Sequence, residues 1–260
     1  MVRFPIASLV SVFVVAATAQ ASVPPEALNA FHAGHFAKSA QIAEAEASVP
    51  SLAFAARALI AEAITRSGGF CLPCLSEAEA LAQQVIALDA KSVEGHLQRA
   101  IAMGFRGRVI GVMQARSENL PEKAHDSLTK ALELDPHSLW AQASLGAWNL
   151  EIVHHARPVL AAISYGATKS RGLSLYRQAL ARNSSNVVLH VHFALSILAL
   201  DQMSFHDEAQ AALAAALSVP TNDALALHSQ NQARELQRTL RSQDPDALAG
   251  LVRRFQGYAS

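Results

Sequence analysis

The sequence predicts an all-α protein built as an irregular solenoid of helical hairpins. Beyond residue 21, apolar residues recur at helical spacing along almost the whole chain, and no segment shows the sustained alternation of a strand. About a fifth of the 260 residues are alanine, whereas aromatic residues make up only 6%. Alanine favours helices and lets neighbouring helices pack closely, so the composition agrees with the periodicity.

The composition also excludes several classes of protein. Apolar residues make up 51% and charged residues 16%, which is too apolar and too weakly charged for a disordered chain. Two cysteines are too few for a disulfide-rich scaffold. Lys plus Arg and Asp plus Glu number 21 each. This balance indicates neither a nucleic-acid partner nor an anionic membrane surface.

The first 21 residues have the features of a secretory signal peptide. Arg3 supplies a positive charge, and residues 6–17 form an apolar run that is short for a membrane span. The triplet Ala19-Gln20-Ala21 matches a small-x-small cleavage site, so we expect a mature chain that begins at Ser22. We expect an exported protein, periplasmic if the host is Gram-negative, with no stable membrane span after cleavage.

Twelve helices are predicted in order along the mature chain, and turn residues separate them. Ser67-Gly68-Gly69 ends the third helix, and Ser76 with Glu79 forms a capping box that opens the fourth. Pro136, Pro220 and Pro245 each mark a boundary, because proline is tolerated only in the first turn of a helix. The predicted helices are 24–33, 36–48, 51–66, 76–88, 92–104, 122–134, 138–154, 172–182, 186–200, 206–218, 222–241 and 246–255.

An internal repeat favours a solenoid over a simple bundle. Segments that start at Glu77, Lys123 and Gly172 align, and their small residues then coincide, with Ala100 opposite Gly146. Small residues at matching positions indicate places where two helices cross closely. The copies are unevenly spaced because of insertions at 104–121 and 156–171. We therefore expect an irregular repeat array over 22–241, followed by a C-terminal helix in 242–260.

The repeat resembles the tetratricopeptide family. Residues 131–136 read ALELDP and are followed by Leu145-Gly146, which is the pattern of that repeat. Residues 95–200 more narrowly resemble the domain of the regulator of microtubule dynamics family, with Trp148, Tyr165-Gly166 and Ala179 as matching positions. The resemblance implies the fold only, since an exported bacterial chain would not meet a microtubule.

The resemblance to the tetratricopeptide repeat implies, in addition, a binding groove along the first helix of each central pair. Its inward positions fall on Glu94, Leu97, Trp140, Ala143, Glu151, Val188 and Val191. A mostly apolar groove of this kind suits a protein or peptide partner, and Trp140 is the expected anchor. Alternatively, the C-terminal helices could fill the groove with their own apolar residues. The function predicted is a protein- or peptide-binding scaffold rather than an enzyme, with no cofactor.

Cys71 and Cys74 form a C-x-x-C motif before a predicted helix. A helix N-terminus lowers the pKa of a thiol, so the pair could be redox-active. The strand pattern of thioredoxin-like proteins is absent, however, and a zinc site would need two further ligands. A local disulfide is the plainer interpretation. The alternative function is therefore a redox or cofactor-handling envelope protein that uses this pair.

Other candidate sites are weaker. Glu151 and His154 share a helical face, as in one half of a di-iron carboxylate site, but no second half is found and no metal site is predicted. His190 and His192 diverge around a helix and cannot chelate together. Arg106 and Arg108 lie in GFRGRVIG, which reads either as an anion-binding loop or as a break between a helix and the insertion.

Overall fold

The computed structural model describes residues 22–258, so the predicted signal peptide lies outside the described residues. Within that range the protein is all-α, with fourteen helices and no strand. The helices are α1 (Pro25–His32), α2 (Phe36–Ala45), α3 (Val49–Thr65), α4 (Leu72–Leu88), α5 (Val93–Ile110), α6 (Val112–Ser117), α7 (Leu120–Leu134), α8 (Leu139–Ala156), α9 (Pro158–Tyr165), α10 (Lys169–Arg182), α11 (Val187–Leu200), α12 (His206–Ser218), α13 (Ala224–Arg241) and α14 (Pro245–Gln256).

The helices pack as six neighbouring pairs: α1 with α2, α3 with α4, α5 with α7, α8 with α10, α11 with α12, and α13 with α14. The second helix of one pair also contacts the first helix of the next pair along most of the chain. The two insertions each carry a short helix, α6 and α9, that the sequence analysis did not predict. Their brevity explains this, since fewer than nine residues show little periodicity.

Side-chain caps define where many of the helices start. In each case an oxygen of the preceding residue accepts a backbone N–H of the first turn, which would otherwise lack an intrahelical partner. Proline within the first two residues of α14 strengthens the signal there, because its missing N–H costs nothing at that position. The oxygen caps are Ser48, Ser92, Ser138, Thr168, Asn186, Asp223 and Asp244.

Glycine occurs where α8 and α10 cross, as the repeat alignment predicted. A Cβ added to Gly146 would lie only 2.9 Å from the carbonyl oxygen of Gly172 and 3.0 Å from the backbone nitrogen of Tyr176. Both neighbours are backbone atoms on α10, and backbone cannot yield as a flexible side chain does. The two helices approach this closely only because position 146 has no side chain.

Two predicted helix ends are wrong. The capping box at Ser76 is not used, because α4 already starts at Leu72 with the Cys71 sulfur accepting the N–H of Cys74. The glycine-rich loop expected at 104–108 is helical, and α5 continues through it to Gly111. Gly111 has φ +86°, a left-handed conformation that favours glycine, and so ends the helix.

The beginning and the end of the array are in contact. Helix α13 touches both α1 and α3, and His32 Nδ1 lies 2.9 Å from an oxygen of Asp223. Gly34, with φ +83°, packs so close to Ala224 that a Cβ at Gly34 would lie 2.9 Å from the alanine methyl. The helix pairs therefore surround a central space. No helix within residues 22–258 is long and apolar enough to span a membrane.

Candidate binding cavity

A cavity of about 530 Å³ occupies the centre of the array. Its wall comes mainly from the first helix of each pair, namely α1, α3, α5, α8, α11 and the start of α13. On α5 the lining positions recur every three or four residues, so one complete face of the helix is directed inward. Those α5 residues are Glu94, Leu97, Gln98, Ala100, Ile101, Gly104, Phe105 and Arg108.

Six of the seven predicted groove residues line this central cavity, namely Glu94, Leu97, Trp140, Ala143, Glu151 and Val188. Val191 does not. It is fully buried in the apolar core that α11 shares with α12. The inward face of α11 instead continues from Val188 to His192 and Leu195, which follows the i+4, i+7 spacing of a helix.

The exposed residues that line the cavity include Arg57, Glu94 and Ser185, and we call the part of the wall near Glu94, at the start of α5, the mouth. The guanidinium of Arg57 lies 5.3 Å from the centre of the Phe31 ring and makes no ion pair within residues 22–258. Gln98 donates to the carboxylate of Glu94 over 2.9 Å. The mouth therefore presents one positive and one negative side chain beside an apolar interior. Trp140, half-buried, lies on the same wall.

The opposite end, which we call the floor, contains an ion pair between Arg108 of α5 and Glu151 of α8. Nε donates to Oε1 over 3.1 Å and Nη2 donates to Oε2 over 2.9 Å. The side chains are 14% and 22% exposed. Burial disfavours both charges, but the opposite charge outweighs it, so the pKa of Glu151 is well below and that of Arg108 above its usual value.

The C-terminal end of the chain completes the floor. The hydroxyl of Tyr258 donates to Glu151, and Nε2 of His155 lies 2.6 Å from the Tyr258 oxygen. Gln256 lines the cavity and donates from its side-chain amide to the carbonyl of Leu195 over 3.3 Å. Glu151 thus pairs with Arg108, Tyr258 and His155. His154, the other residue of the half di-iron pattern, is exposed.

Three polar groups at the floor have no protein hydrogen-bond partner within residues 22–258: the Tyr176 hydroxyl, both ring nitrogens of His192, and the side-chain oxygen of Gln256. All three side chains line the cavity, and Tyr176 and Gln256 are only 3% and 4% exposed. Burial lowers the pKa of His192 to about 4, helped by the charges of Arg108 and His228. Burial likewise raises the pKa of Tyr176. All three groups are therefore uncharged near neutral pH.

The C-terminal helices do not fill the groove, contrary to one expectation. Helix α14 packs against α11 and α13, where Leu248, Leu251 and Val252 join the same apolar core. Only Gln256 of α14 and the first turn of α13 reach the cavity wall. The regularly spaced apolar residues of these helices pack into the core. A sequence pattern alone could not show whether they would pack into the core or fill the groove.

The other motifs are accounted for by local structure. Arg106 pairs with Glu79 over 2.8 Å and with Glu118 over 2.6 Å, so the pair of arginines expected to bind an anion is instead neutralised within the fold. Cys71 and Cys74 form a disulfide. Across the part of the chain that the structure describes, no three His, Cys, Asp or Glu side chains are grouped to hold a metal ion.

Comparison with known proteins adds no relative to this description. No protein-family model matches the chain, and no curated protein matches it either. The geometry of the central cavity is therefore the main guide to function. The repeat spacing in the sequence predicts six residues of the wall, on α5, α8 and α11, but not the contributions of α1, α3 and α13. His192 and Tyr176 carry no sequence signal for the cavity, because the spacing of His190 and His192 bears only on metal binding and Tyr176 lies on the second helix of its pair.

Proposed function

We propose that the protein is an exported binding protein whose tetratricopeptide-like array takes a short apolar segment of a protein or peptide partner into the central cavity. One observation carries the proposal: the first helix of all six pairs contributes residues to the wall of a single 530 Å³ cavity. Cavities of this size, mostly apolar with a few placed polar groups, are typical of ligand sites.

The size of the cavity favours a chain end or a few side chains over a partner helix. An α-helix is about 10–12 Å wide and rises about 5.4 Å per turn, so one turn already takes up roughly 500 Å³. Gln256 and the ion pair of Arg108 with Glu151 line the floor. An apolar peptide end that enters at the mouth would leave its backbone near the charges of Arg57 and Glu94.

Export is part of the same proposal and has a separate test. The apolar run at 6–17 and the triplet before Ser22 support cleavage of a signal peptide. Intact-mass measurement on protein from the native host should give a chain that begins at Ser22. Retention of residues 1–21 in a membrane fraction would contradict the signal-peptide prediction without bearing on the cavity.

Peptide binding can be tested with a variant that fills the cavity. Ser144 lines the cavity on α8 and is half-buried, so Ser144→Phe adds bulk there. Ser174→Phe places the same ring on the exposed surface of α10 and serves as the matched control. Random heptapeptides displayed on phage would be selected on the unchanged protein. The selected peptides would then be synthesised and titrated against the unchanged protein, Ser144→Phe and Ser174→Phe.

We expect the selection to enrich apolar peptides with micromolar Kd. Ser144→Phe should weaken their binding at least about tenfold, which corresponds to 1.4 kcal/mol, while Ser174→Phe should leave it unchanged. Two results would contradict the proposal. One is a selection that yields no peptide, and the other is a set of peptides that bind Ser144→Phe as tightly as the unchanged chain.

A redox role for Cys71 and Cys74 is the second candidate, and one contact favours it. Nη1 of Arg66 lies 3.2 Å from the Cys71 sulfur at the start of α4, where both the guanidinium and the helix terminus would stabilise a thiolate. Cys71 is only 7% exposed, however, which hinders attack by an external thiol. A reduction potential below about −300 mV would mark a structural bond, and a higher value would support redox exchange.

A further inference from the structure

The unpartnered polar groups at the floor indicate what kind of ligand end the cavity accepts. We propose that the floor binds a neutral hydrogen-bonding group, a hydroxyl or a carboxamide, carried at the end of an apolar body. The inference rests on the proposed function in one respect, namely that the central cavity is a ligand site. It adds the chemistry of the buried end of that ligand, which neither the repeat pattern nor the cavity volume specifies.

Several polar groups at the floor make no hydrogen bond to the protein. The Tyr176 hydroxyl can donate and accept, the neutral His192 ring offers one donor and one acceptor, and the Gln256 oxygen can accept. These groups line the cavity without a protein partner in the described residues. Within residues 22–258 the fully buried side-chain polar atoms without a partner are His190 Nδ1 and His228 Nε2, so the three groups at the floor face the open cavity and stay available to a ligand. A ligand that both donates and accepts would satisfy them.

The charges at the floor are already paired. The guanidinium of Arg108 is held by both oxygens of Glu151, so the positive and negative charges at the floor cancel. Of the described residues that line the cavity at the floor, no other carries a positive charge for a carboxylate or a negative charge for an ammonium group. A charged ligand end would lose its hydration without gaining a counter-charge, which is strongly unfavourable. The floor therefore favours an uncharged end.

Apolar side chains line the wall between the mouth and the floor. The lining face of α5 extends from Glu94 to Arg108, which is about 21 Å at 1.5 Å per residue. Between these ends the wall is dominated by apolar side chains, including Leu97, Ile101 and Phe105. A ligand whose polar end reaches the floor therefore places an apolar body against this wall.

Three probes of equal chain length test the proposal directly: 1-octanol, octanamide and octanoate. The two tryptophans of the chain, Trp140 and Trp148, both line the cavity, so their fluorescence reports occupancy without a label. We expect 1-octanol and octanamide to bind at least about tenfold more tightly than octanoate at pH 7. Octanoate binding as tightly as the neutral probes, or more tightly, would overturn the proposal.

Variants of the floor separate hydrogen bonding from simple burial. Tyr176→Phe removes only the unpartnered hydroxyl and should weaken 1-octanol binding about threefold to tenfold, as expected for one hydrogen bond. Tyr165→Phe, outside the cavity, is the matched control. His192→Leu should weaken binding similarly, and His192→Gln should restore much of it. If both Tyr176→Phe and His192→Leu bind 1-octanol like the unchanged protein, the floor does not recognise a polar group.

A further pair of probes, acetyl-Leu-Leu-Leu-amide and the corresponding acid, shows whether the neutral group belongs to a peptide or to a free amphiphile. Tighter binding of the peptide amide than of octanamide would place the group on a peptide, whereas the reverse order would place it on a free amphiphile. Failure of all these probes to bind would overturn the floor proposal. The peptide selection against Ser144→Phe then shows independently whether the proposed peptide binding also fails.

Discussion

Arg108 and Glu151 join the ends of α5 and α8 through two parallel hydrogen bonds of 3.1 and 2.9 Å. Because both side chains are mostly buried, removing one partner would leave the other charge without compensation. Arg108→Met should therefore lower the free energy of unfolding by about 3–5 kcal/mol. The double variant Arg108→Met with Glu151→Leu should recover most of that loss, since a buried ion pair and apolar packing are often similar in stability.

Urea denaturation would measure this effect. The exposed pair of Arg254 and Glu235, with side chains 62% and 41% exposed, provides the control, and Arg254→Met should cost less than about 1 kcal/mol. If Arg108→Met is as mild as Arg254→Met, the floor pair does not stabilise the fold.

Stability should fall as the pH is lowered from about 6.5 towards 4. The pKa of His192 is about 4 in the folded protein, below its ordinary 6.5, because the ring is buried and faces Arg108 and His228. In that window the unfolded chain binds a proton that the folded chain does not, so acid favours unfolding. His154 and His228 have lowered pKa values and act in the same direction.

Urea midpoints at pH 7.0, 5.5 and 4.5 would reveal this dependence, and His192→Gln should flatten it. Glu151 adds a further loss below its ordinary pKa of 4.5, because its folded pKa is depressed. An identical pH dependence in His192→Gln and the unchanged protein would show that His192 is not responsible.

Gly146 should not tolerate even a methyl group. Gly146→Ala would place a Cβ within 3.0 Å of backbone atoms on α10 and should cost about 1–3 kcal/mol, and Gly146→Leu should cost more. Gly250 in α14 has no atom within 4 Å of an added Cβ, so Gly250→Ala should stabilise the protein by about 0.5–1 kcal/mol. A stabilising Gly146→Ala would mean that α8 and α10 cross elsewhere.

Trp140→Ala should abolish peptide capture while the helical circular-dichroism signal persists. Trp140 lines the cavity and is half-buried, and it also packs against two apolar clusters, so its loss removes contact area for a ligand as well as some support for the fold. The peptides selected on the unchanged protein are the probes. If the variant unfolds under the same conditions, Trp140 belongs to the core; a folded variant that still binds would exclude it as the anchor.

Truncation after Arg241 should unfold the protein rather than open the groove. The deletion removes Leu248, Leu251 and Val252, which are at most 7% exposed and belong to the core of α11. Losing three such side chains amounts to about 5–8 kcal/mol, which is comparable to the whole stability of a typical domain. A chain ending at Tyr258 keeps these contacts and is the control. A folded truncated chain with enhanced peptide binding would restore the interpretation of α14 as a plug.

Sequence periodicity predicted the long helices and, through the repeat resemblance, the part of the cavity wall on α5, α8 and α11, because both depend on local spacing. The crossing at Gly146 was predictable for the same reason. The floor was not, since it depends on distant residues: Arg108 was assigned to a loop, and Tyr258 lies 107 residues from Glu151. Short helices such as α6 gave too little periodicity to detect. Which helices the apolar face of α14 packs against also depends on tertiary contacts, which the sequence does not reveal.

The contact between His32 and Asp223 spans 191 residues of chain and has a consequence for folding. In an open repeat array each unit contacts only its neighbours, so the ends can fray while the middle persists. Here the first pair borders the last, and neither is a free end. We expect the contact between the first and last helix pairs to form late, because contacts so distant in sequence slow folding. A nascent chain that lacks α13 has no complete cavity. The proposed binding site is therefore complete only after the final helices have been synthesised.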